Sequence, residues 1–357
     1  MGKSHKKGGY AMHMADALLS PAVGATFWAG TLGTIAYCSK KLKENLDEKL
    51  IPLMGVLGAF IFAAQMINFT IPATGSSGHL GGGMILAVIL GPYAAFIVMA
   101  SVLTVQALFF ADGGLLALGC NIWNLGIYSC FIAYPLIYKP LTKNNKSSGR
   151  ILFAALLSAV IGLQMGAFSV VIQTLLSGKS ELPLGTFLLF MQPVHLAIGI
   201  IEGIVTAGVI SYVQHMRPEM LESIPKSQPL GAGISLKRVF FAFAILAVIT
   251  GGALSWFAST YPDGLEWSIE KVYGKAELPE QEHGITGALK GFQEKTAFLP
   301  DYTFKKSEDK AKQEEASPSW PGVDAGRSLS GILGAVIVLG IIIIIGVGIR
   351  AIRRRKS

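Results

Sequence analysis

MHMADALLSP, residues 12–21, joins a polar segment that carries one imidazole, His13, to a long run of apolar residues. GSSGHLGGG, residues 75–83, places a second imidazole, His79, between two apolar runs. Glycine lets the backbone approach a bound ion closely, and non-helical backbone at membrane depth is tolerated only where it is buried in protein or lines a cavity. We therefore expect His13 and His79 to meet on one side of a membrane and to hold a transition-metal ion.

The composition is that of a membrane protein, because 52% of the 357 residues are hydrophobic and only 15% are charged. Eight or nine runs in the chain approach the roughly 20 apolar residues that cross a bilayer. The net charge of +8 comes from Lys and Arg between these runs, as the positive-inside rule produces, so we predict a lipid partner and no nucleic acid. The cysteines lack metal-type spacing and are expected to be core residues: Cys38, Cys120 and Cys130.

The sequence lacks the loops that bind nucleotide phosphates. It contains neither GxxxxGK[ST] nor a strand–GxGxxG–helix unit. We therefore expect any ATP hydrolysis to take place on separate chains, and we do not expect this chain to be an enzyme or to carry a resident cofactor.

Basic segments set the predicted topology. Lys and Arg cluster in residues 40–49, 139–150, 217–238 and 350–356, and these lie on one side only if residues 84–111 cross twice, turning at Gly91-Pro92. The prediction is an all-α polytopic membrane protein of the plasma membrane, with an extracytoplasmic N-terminus and a cytoplasmic C-terminus. Its nine spans cover residues 18–38, 51–71, 82–90, 93–110, 116–137, 151–176, 190–213, 239–261 and 329–349.

Composition divides the chain into four predicted parts. Residues 1–11 are a polar, basic extension without the apolar region of a secretory signal. Three origins stay open for it: a native extension, a start assigned upstream of Met12, or an expression remnant. Residues 12–213 are predicted to form a seven-span metal-capture domain, and residues 214–237 a cytoplasmic linker rich in Pro, Gly and Ser. Residues 238–357 are predicted to form a two-span accessory domain whose acidic outer loop covers residues 262–327.

Met12 adds two backbone nitrogens to the predicted site if it is the first residue of the mature chain. Its free amine, the His13 amide nitrogen and the His13 ring nitrogen would form two fused chelate rings in one plane, and His79 could fill the fourth corner. Planar nitrogen sites favour Ni(II) or Cu(II). Since the ligands must lose protons, metal affinity should fall as pH falls.

Three polar residues follow the fourth predicted span and face the same side of the membrane. Asn121 and Asn124 share one helix face and could hydrogen-bond the His13 or His79 segment, setting an imidazole tautomer. Asp112, before Gly113-Gly114, is expected to cap the helix that follows.

His195 and Glu202 lie seven residues apart on one face of an apolar helix. An ionisable pair inside a membrane is a functional hypothesis, such as a proton relay. We favour the simpler interpretation, a mutual or interhelical hydrogen bond that fixes the bundle.

Several motifs occur in the order typical of one family. They are MHMADALLSP at 12–21, GHLGG at 78–82, LGP at 90–92, ADGGL at 111–115, GCN at 119–121 and HLAIG at 195–199. They resemble the substrate-capture membrane component of energy-coupling-factor nickel and cobalt transporters. The later part of the chain, with PDGLE at 262–266, is similar to the small accessory component of the same systems.

The resemblance implies a capture component fused to an accessory component, a form associated more with nickel than with cobalt. It implies Met12, His13 and His79 as metal ligands, a separate transmembrane coupling protein and cytoplasmic ATPase subunits. The extension at residues 1–11 departs from the family pattern, because it leaves Met12 without a free amine.

Other functions stay open. The transported ion is expected to be Ni(II), and the alternative is Co(II) supplying cobalamin synthesis. A stand-alone secondary carrier or channel would use His195 and Glu202 as a proton relay. An intramembrane metal enzyme is disfavoured because the sequence has no HExxH motif, and a sensor or scaffold would depend on the acidic outer loop.

Overall fold

The computed structural model describes residues 12–45, 47–144, 146–223, 235–279, 284–304 and 321–354. The predicted extension at residues 1–11 and much of the linker lie outside these ranges. The described chain is helical apart from one small hairpin, which agrees with the predicted all-α class.

Twelve helices are present in the described residues, and the middle of the fifth, Trp123–Tyr138, is π-helical. They are α1 (Pro21–Asn45), α2 (Leu50–Gln65), α3 (Gly83–Leu90), α4 (Pro92–Phe110), α5 (Leu118–Thr142), α6 (Ser148–Leu176), α7 (Leu184–Met216), α8 (Pro218–Ser223), α9 (Lys237–Gly252), α10 (Gly264–Tyr273), α11 (Gly284–Thr296) and α12 (Ala325–Arg354). Short 3₁₀ turns cover Asp16–Leu18, Leu254–Phe257 and Pro300–Tyr302.

Five of the described helices, α4, α5, α6, α7 and α12, are long and apolar enough to cross a membrane, and α2 is a shorter apolar helix. The predicted break at Gly91-Pro92 is present: Gly91 has φ +78° and ends α3, and Pro92 begins α4. The count of nine spans and the orientation of the termini stay predictions.

Two predicted spans are too long. The segment at 51–71 is helical only to Gln65, and its end forms strand β1 (Phe69–Ile71), which pairs antiparallel with β2 (Ser76–Gly78). The segment at 239–261 ends as an α-helix at Gly252. In both cases apolar residues continue past the helix, into β1 in the first segment and into the 3₁₀ turn Leu254–Phe257 in the second, so hydropathy alone overestimates helix length.

Glycines allow the helices of the bundle to approach closely. Gly199 and Gly203, four residues apart on α7, lie against the backbone of α6, where added Cβ atoms would come 2.9 and 2.5 Å from Cα atoms of Val160 and Leu156. Such small-residue spacing is typical of membrane helix packing. Helix α12 packs on α2 in the same way, with Gly334 against the ring of Phe62. The accessory part is thereby held against the capture part.

Candidate metal site

The segment that carries His13 lies over the connection between α4 and α5. The backbone N–H of Met14 donates to Asn121 Oδ1 and the Met14 carbonyl accepts from Asn121 Nδ2, both at 3.1 Å. The same carbonyl accepts from Gly114 N at 3.1 Å. Gly113 has φ +80°, and a Cβ there would lie 2.8 Å from His13 Cβ. Glycine is therefore required where the segment crosses the connection.

The ring of His13 is buried against polar groups of the capture part. Its Nε2 lies 3.0 Å from Gln106 Oε1 and 3.8 Å from Asp112 Oδ2. Burial lowers the pKa of His13, and the nearby Asp112 carboxylate opposes this shift. If Gln106 Oε1 accepts from His13 Nε2, the proton is on Nε2 and the Nδ1 lone pair of His13 is free for a metal ion.

His79 follows the β1–β2 hairpin and faces His13. The two ring centroids are 5.3 Å apart and the ring planes are nearly perpendicular. His79 Nδ1 lies 3.1 Å from the Leu80 carbonyl, and Nε2 lies 3.3 Å from the Met12 carbonyl. A neutral imidazole can donate to only one of these oxygens. If Nδ1 donates to Leu80, the Nε2 lone pair faces the Met12 segment, where a cation would be accepted.

Glu202 holds the His79 loop from inside the bundle. Its two carboxylate oxygens accept from Gly81 N at 2.7 Å and Gly82 N at 3.1 Å. Gly82 precedes α3 with φ +75° and offers no side-chain cap, so Glu202 supplies the cap from another helix. Gln65 Nε2 donates to the Gly81 carbonyl at 2.9 Å.

His195 hydrogen-bonds within its own helix, Nδ1 to the Met191 carbonyl at 2.7 Å. Among the described residues no hydrogen bond joins it to Glu202. Glu202 instead bonds to Gly81 and Gly82 in the loop before α3, so it fixes part of the bundle without the predicted partner.

Two roles predicted for neighbouring residues are wrong. Asp112 does not cap α5, whose N-cap residue is Ala117 with no side-chain cap, because the Gly113-Gly114 turn carries Asp112 away from the helix end. Its Oδ1 accepts from Met12 N at 2.8 Å instead. Asn124 pairs with Gln173 through two 2.9 Å bonds, since its side of α5 faces α6.

Asn121 hydrogen-bonds the backbone of the His13 segment and not an imidazole, so it positions the segment and does not set a tautomer. The side chain that contacts the His13 imidazole is instead Gln106 of α4, which the sequence analysis did not single out. The one signal for Gln106 was a polar amide inside an apolar run.

The accessory part reaches the His79 loop, which we did not expect. Ser77 N donates to the Pro262 carbonyl at 2.8 Å, and Ser77 pairs with Asp263 in a parallel β-bridge. Asp263 is only 3% exposed and its Oδ2 caps α10 by accepting from Leu265 N at 3.4 Å. Burial raises the pKa of Asp263 to about 6.

Two cavities meet this region. One, of about 70 Å³, is lined by Met12, His13, His79, His195 and Asp263 among others. A larger one, of about 350 Å³, lies between the His13 segment and helices α10 and α11 of the accessory part. Across the described ranges, no three His, Cys, Asp or Glu side chains are grouped to hold a metal.

Comparison with known proteins assigns each part of the chain. The family model for the cobalt uptake substrate-specific transmembrane region, CbiM, matches residues 13–220, and that for the PDGLE domain matches residues 237–351. A putative fused nickel transport protein NikMN of Archaeoglobus fulgidus is 33% identical over 92% of this chain and 96% of its own length.

Other relatives extend the comparison. The fused nickel transport protein NikMN of Rhodobacter capsulatus is 30% identical over 97% of this chain and 100% of its own length. The cobalt transport protein CbiM of Sorangium cellulosum is 28% identical over 60% of this chain and 96% of its own length. A crystal structure of a truncated transition metal transporter shares 30% identity with a TM-score of 0.51, covering 57% of this chain and 99% of that one.

A multi-pass helical bundle of this kind, with two buried imidazoles facing each other at one end, belongs to the membrane proteins of transition-metal transport. The chain is a member of the cobalt uptake substrate-specific transmembrane family, CbiM, and carries a fused PDGLE domain. This confirms the resemblance to a fused capture and accessory component of energy-coupling-factor nickel and cobalt transporters.

Proposed function

We propose that this chain is the substrate-specificity subunit of an ATP-driven energy-coupling-factor transporter and captures Ni(II) at the outer membrane face. The observation that carries the proposal is the placement of His13 and His79, whose rings face each other at 5.3 Å with His79 Nε2 turned to the Met12 segment. Residues 262–327 would lie on the same side.

The donors favour a planar site. The Met12 amine, the His13 amide nitrogen and His13 Nδ1 form fused chelate rings, and His79 Nε2 supplies the fourth nitrogen. Such a set suits Ni(II) better than ions that prefer octahedral oxygen ligands. Two relatives named as fused nickel transport proteins match nearly the whole chain, which supports nickel as the cargo. Co(II) is the second candidate, since a relative named for cobalt transport matches the capture part.

The proposed site requires Met12 to be the first residue of the mature chain. An amide nitrogen bonded to residue 11 has its lone pair delocalised into the peptide bond and cannot serve as the amine ligand. We therefore infer that residues 1–11 are absent from the form that binds metal. Because amine and amide must both lose protons, affinity is expected to fall as pH falls.

The energy source is proposed to be external to the chain. The sequence has no phosphate-binding loop, so a separate coupling protein and ATPase subunits would drive transport. Uptake by this chain in cells that lack every ATPase partner would favour a secondary carrier and contradict the proposal.

The test is isothermal titration of Ni(II) and Co(II) into two purified chains, one beginning at Met1 and one at Met12. We expect the chain from Met12 to bind Ni(II) more tightly than Co(II), and the chain from Met1 to bind about 100-fold more weakly, since it lacks one ligand. Equal affinity in the two chains would disprove the amine ligand. Tighter binding of Co(II) would reverse the metal assignment.

A further inference from the structure

Tyr302 of the accessory part is inserted beside the candidate metal site. Its ring is 7% exposed and stacks on Phe110 with the centroids 5.0 Å apart and the planes at 17°. Its backbone carbonyl accepts from Ser330 Oγ at 2.9 Å. Its hydroxyl donates to Asp112 Oδ2 at 2.6 Å. The tyrosine is therefore fixed by packing, and its hydroxyl lies against the Asp112 carboxylate and beside the Gln106 amide.

Asp112 connects Tyr302 to the segment that carries His13. While Oδ2 accepts from Tyr302, Oδ1 accepts from Met12 N at 2.8 Å. When an amine donates one N–H to a carboxylate, its lone pair points away from that carboxylate. In a chain that begins at Met12, the lone pair of the amine is then free for another partner, and Met12 lines the same cavity as His13 and His79.

We propose, on the basis of the proposed function, that Tyr302 is a positioning residue for the metal site, which it orders by fixing Asp112 and through it the nitrogen of Met12. The hydroxyl also keeps Asp112 from a competing partner. Asp112 Oδ2 lies only 3.8 Å from His13 Nε2. Without the hydroxyl, that oxygen turns toward His13 and competes with Gln106 for the ring proton.

Further contacts from the accessory part support the same connection. Gln293 Nε2 donates to the carbonyls of Ala107 and Gly113, each at 2.8 Å, so it contacts both sides of Asp112. The backbone is also held in costly conformations where the two parts meet, since Ala111 and Tyr302 have φ of 55° and 60°. Left-handed conformations of residues with a Cβ persist only where surrounding contacts impose them.

The direct test is Tyr302→Phe, which retains the stacked ring and removes only the hydroxyl. We expect Ni(II) affinity of the chain from Met12 to fall about tenfold or more, as with other outer partners of metal ligands. The visible absorption of bound Ni(II) should shift from that of a planar site. Tyr261→Phe is the matched control, because Tyr261 is exposed in the same part, and it should leave affinity and spectrum unchanged.

A double-mutant cycle with Asp112→Asn separates positioning from packing. If Tyr302 acts through Asp112, the double variant binds Ni(II) no more weakly than Asp112→Asn alone, because coupled residues are not additive. Full additivity of the two losses, or wild-type affinity in Tyr302→Phe, would overturn the proposal.

Amide hydrogen exchange of the metal-free full chain tests the positioning without any metal. We expect residues 12–16 to exchange faster in Tyr302→Phe than in wild type or in Tyr261→Phe, because the Asp112 contact holds this segment closed. Unchanged exchange refutes the role of Tyr302. If the wild-type chain binds neither Ni(II) nor Co(II), the proposed function fails, and the exchange result still decides the positioning role.

Discussion

The two segments that carry the imidazoles are held in different ways. The His13 segment lies over the bundle and is fastened through its backbone, mainly by Asn121 and Gly114. The His79 loop continues directly into α3, every residue of which is buried, and Glu202 fastens it from inside. His13 thus lies on a segment that packs over the bundle, whereas His79 lies on a loop that continues into a helix of the bundle.

This difference indicates which ligand is fixed and which adjusts. Moving His79 would require Gly81 and Gly82 to lose a buried carboxylate partner, and unpaired buried N–H groups are costly. The His13 segment carries only a short 3₁₀ turn and no bundle helix, and its bonds to Asn121 and Ala117 join it to the start of α5. We therefore expect His79 to be the fixed side of the site and His13 the side that closes on the ion.

The largest effect is expected from His79→Ala. The variant removes the fixed ligand and keeps the Glu202 contacts that shape the loop. We expect Ni(II) affinity to fall by about 100-fold or more, beyond the loss typical of outer partners, with unchanged expression and thermal unfolding. Titration of the chain from Met12 measures it.

His215→Ala is the control for this variant. His215 lies near the end of α7, and its Nδ1 lies 2.7 Å from the Ser211 carbonyl of its own helix. Wild-type Ni(II) binding by His79→Ala would place the metal site elsewhere in the chain.

The sequence predicted the helices where residue type alone decides the backbone. Gly91-Pro92 breaks one apolar run into α3 and α4 because proline cannot continue a helix and Gly91 adopts a positive φ. It did not predict the β1–β2 hairpin, since Phe69 and Ile71 continue an apolar pattern. The hairpin pairs through Ser77 with Pro262, 185 residues later, and local pattern carries no such information.

The metal site, too, could be predicted from the sequence only in part. His13 and His79 could be singled out because few residue types bind transition metals and glycine surrounds one of them. Their partners could not, since Gln106 resembles any amide in a membrane helix and Tyr302 lies 190 residues from Asp112. Asp112 was assigned a local role as a cap, and tertiary contacts with Met12 and Tyr302 replaced it.

A second variant, Glu202→Gln, tests whether the Glu202 carboxylate holds the His79 loop in place. A neutral amide can accept from only one of Gly81 N and Gly82 N, and its own N–H₂ group would face the other. We expect roughly tenfold weaker Ni(II) binding and a loss of about 1 to 3 kcal/mol of stability. Glu222→Gln, at an exposed partner of Lys146, is the control. If Glu202→Gln leaves both quantities unchanged, the His79 loop is not held by this carboxylate.

The smallest effect on metal binding is expected from Asp263→Asn, which should instead change how stability depends on pH. Burial raises the pKa of Asp263 from 3.8 to about 6, so its stabilising contribution is complete below about pH 4 and is lost as pH rises through 6. Asparagine still caps α10 but does not ionise. Thermal unfolding should therefore show the variant more stable than wild type at pH 7, by up to about 3 kcal/mol, with the advantage lost at pH 4.

Burial also raises the pKa of Asp301 to about 6, so some pH dependence persists in both proteins, and only the difference between them is diagnostic. A constant difference across this range would show that Asp263 does not ionise in the folded chain.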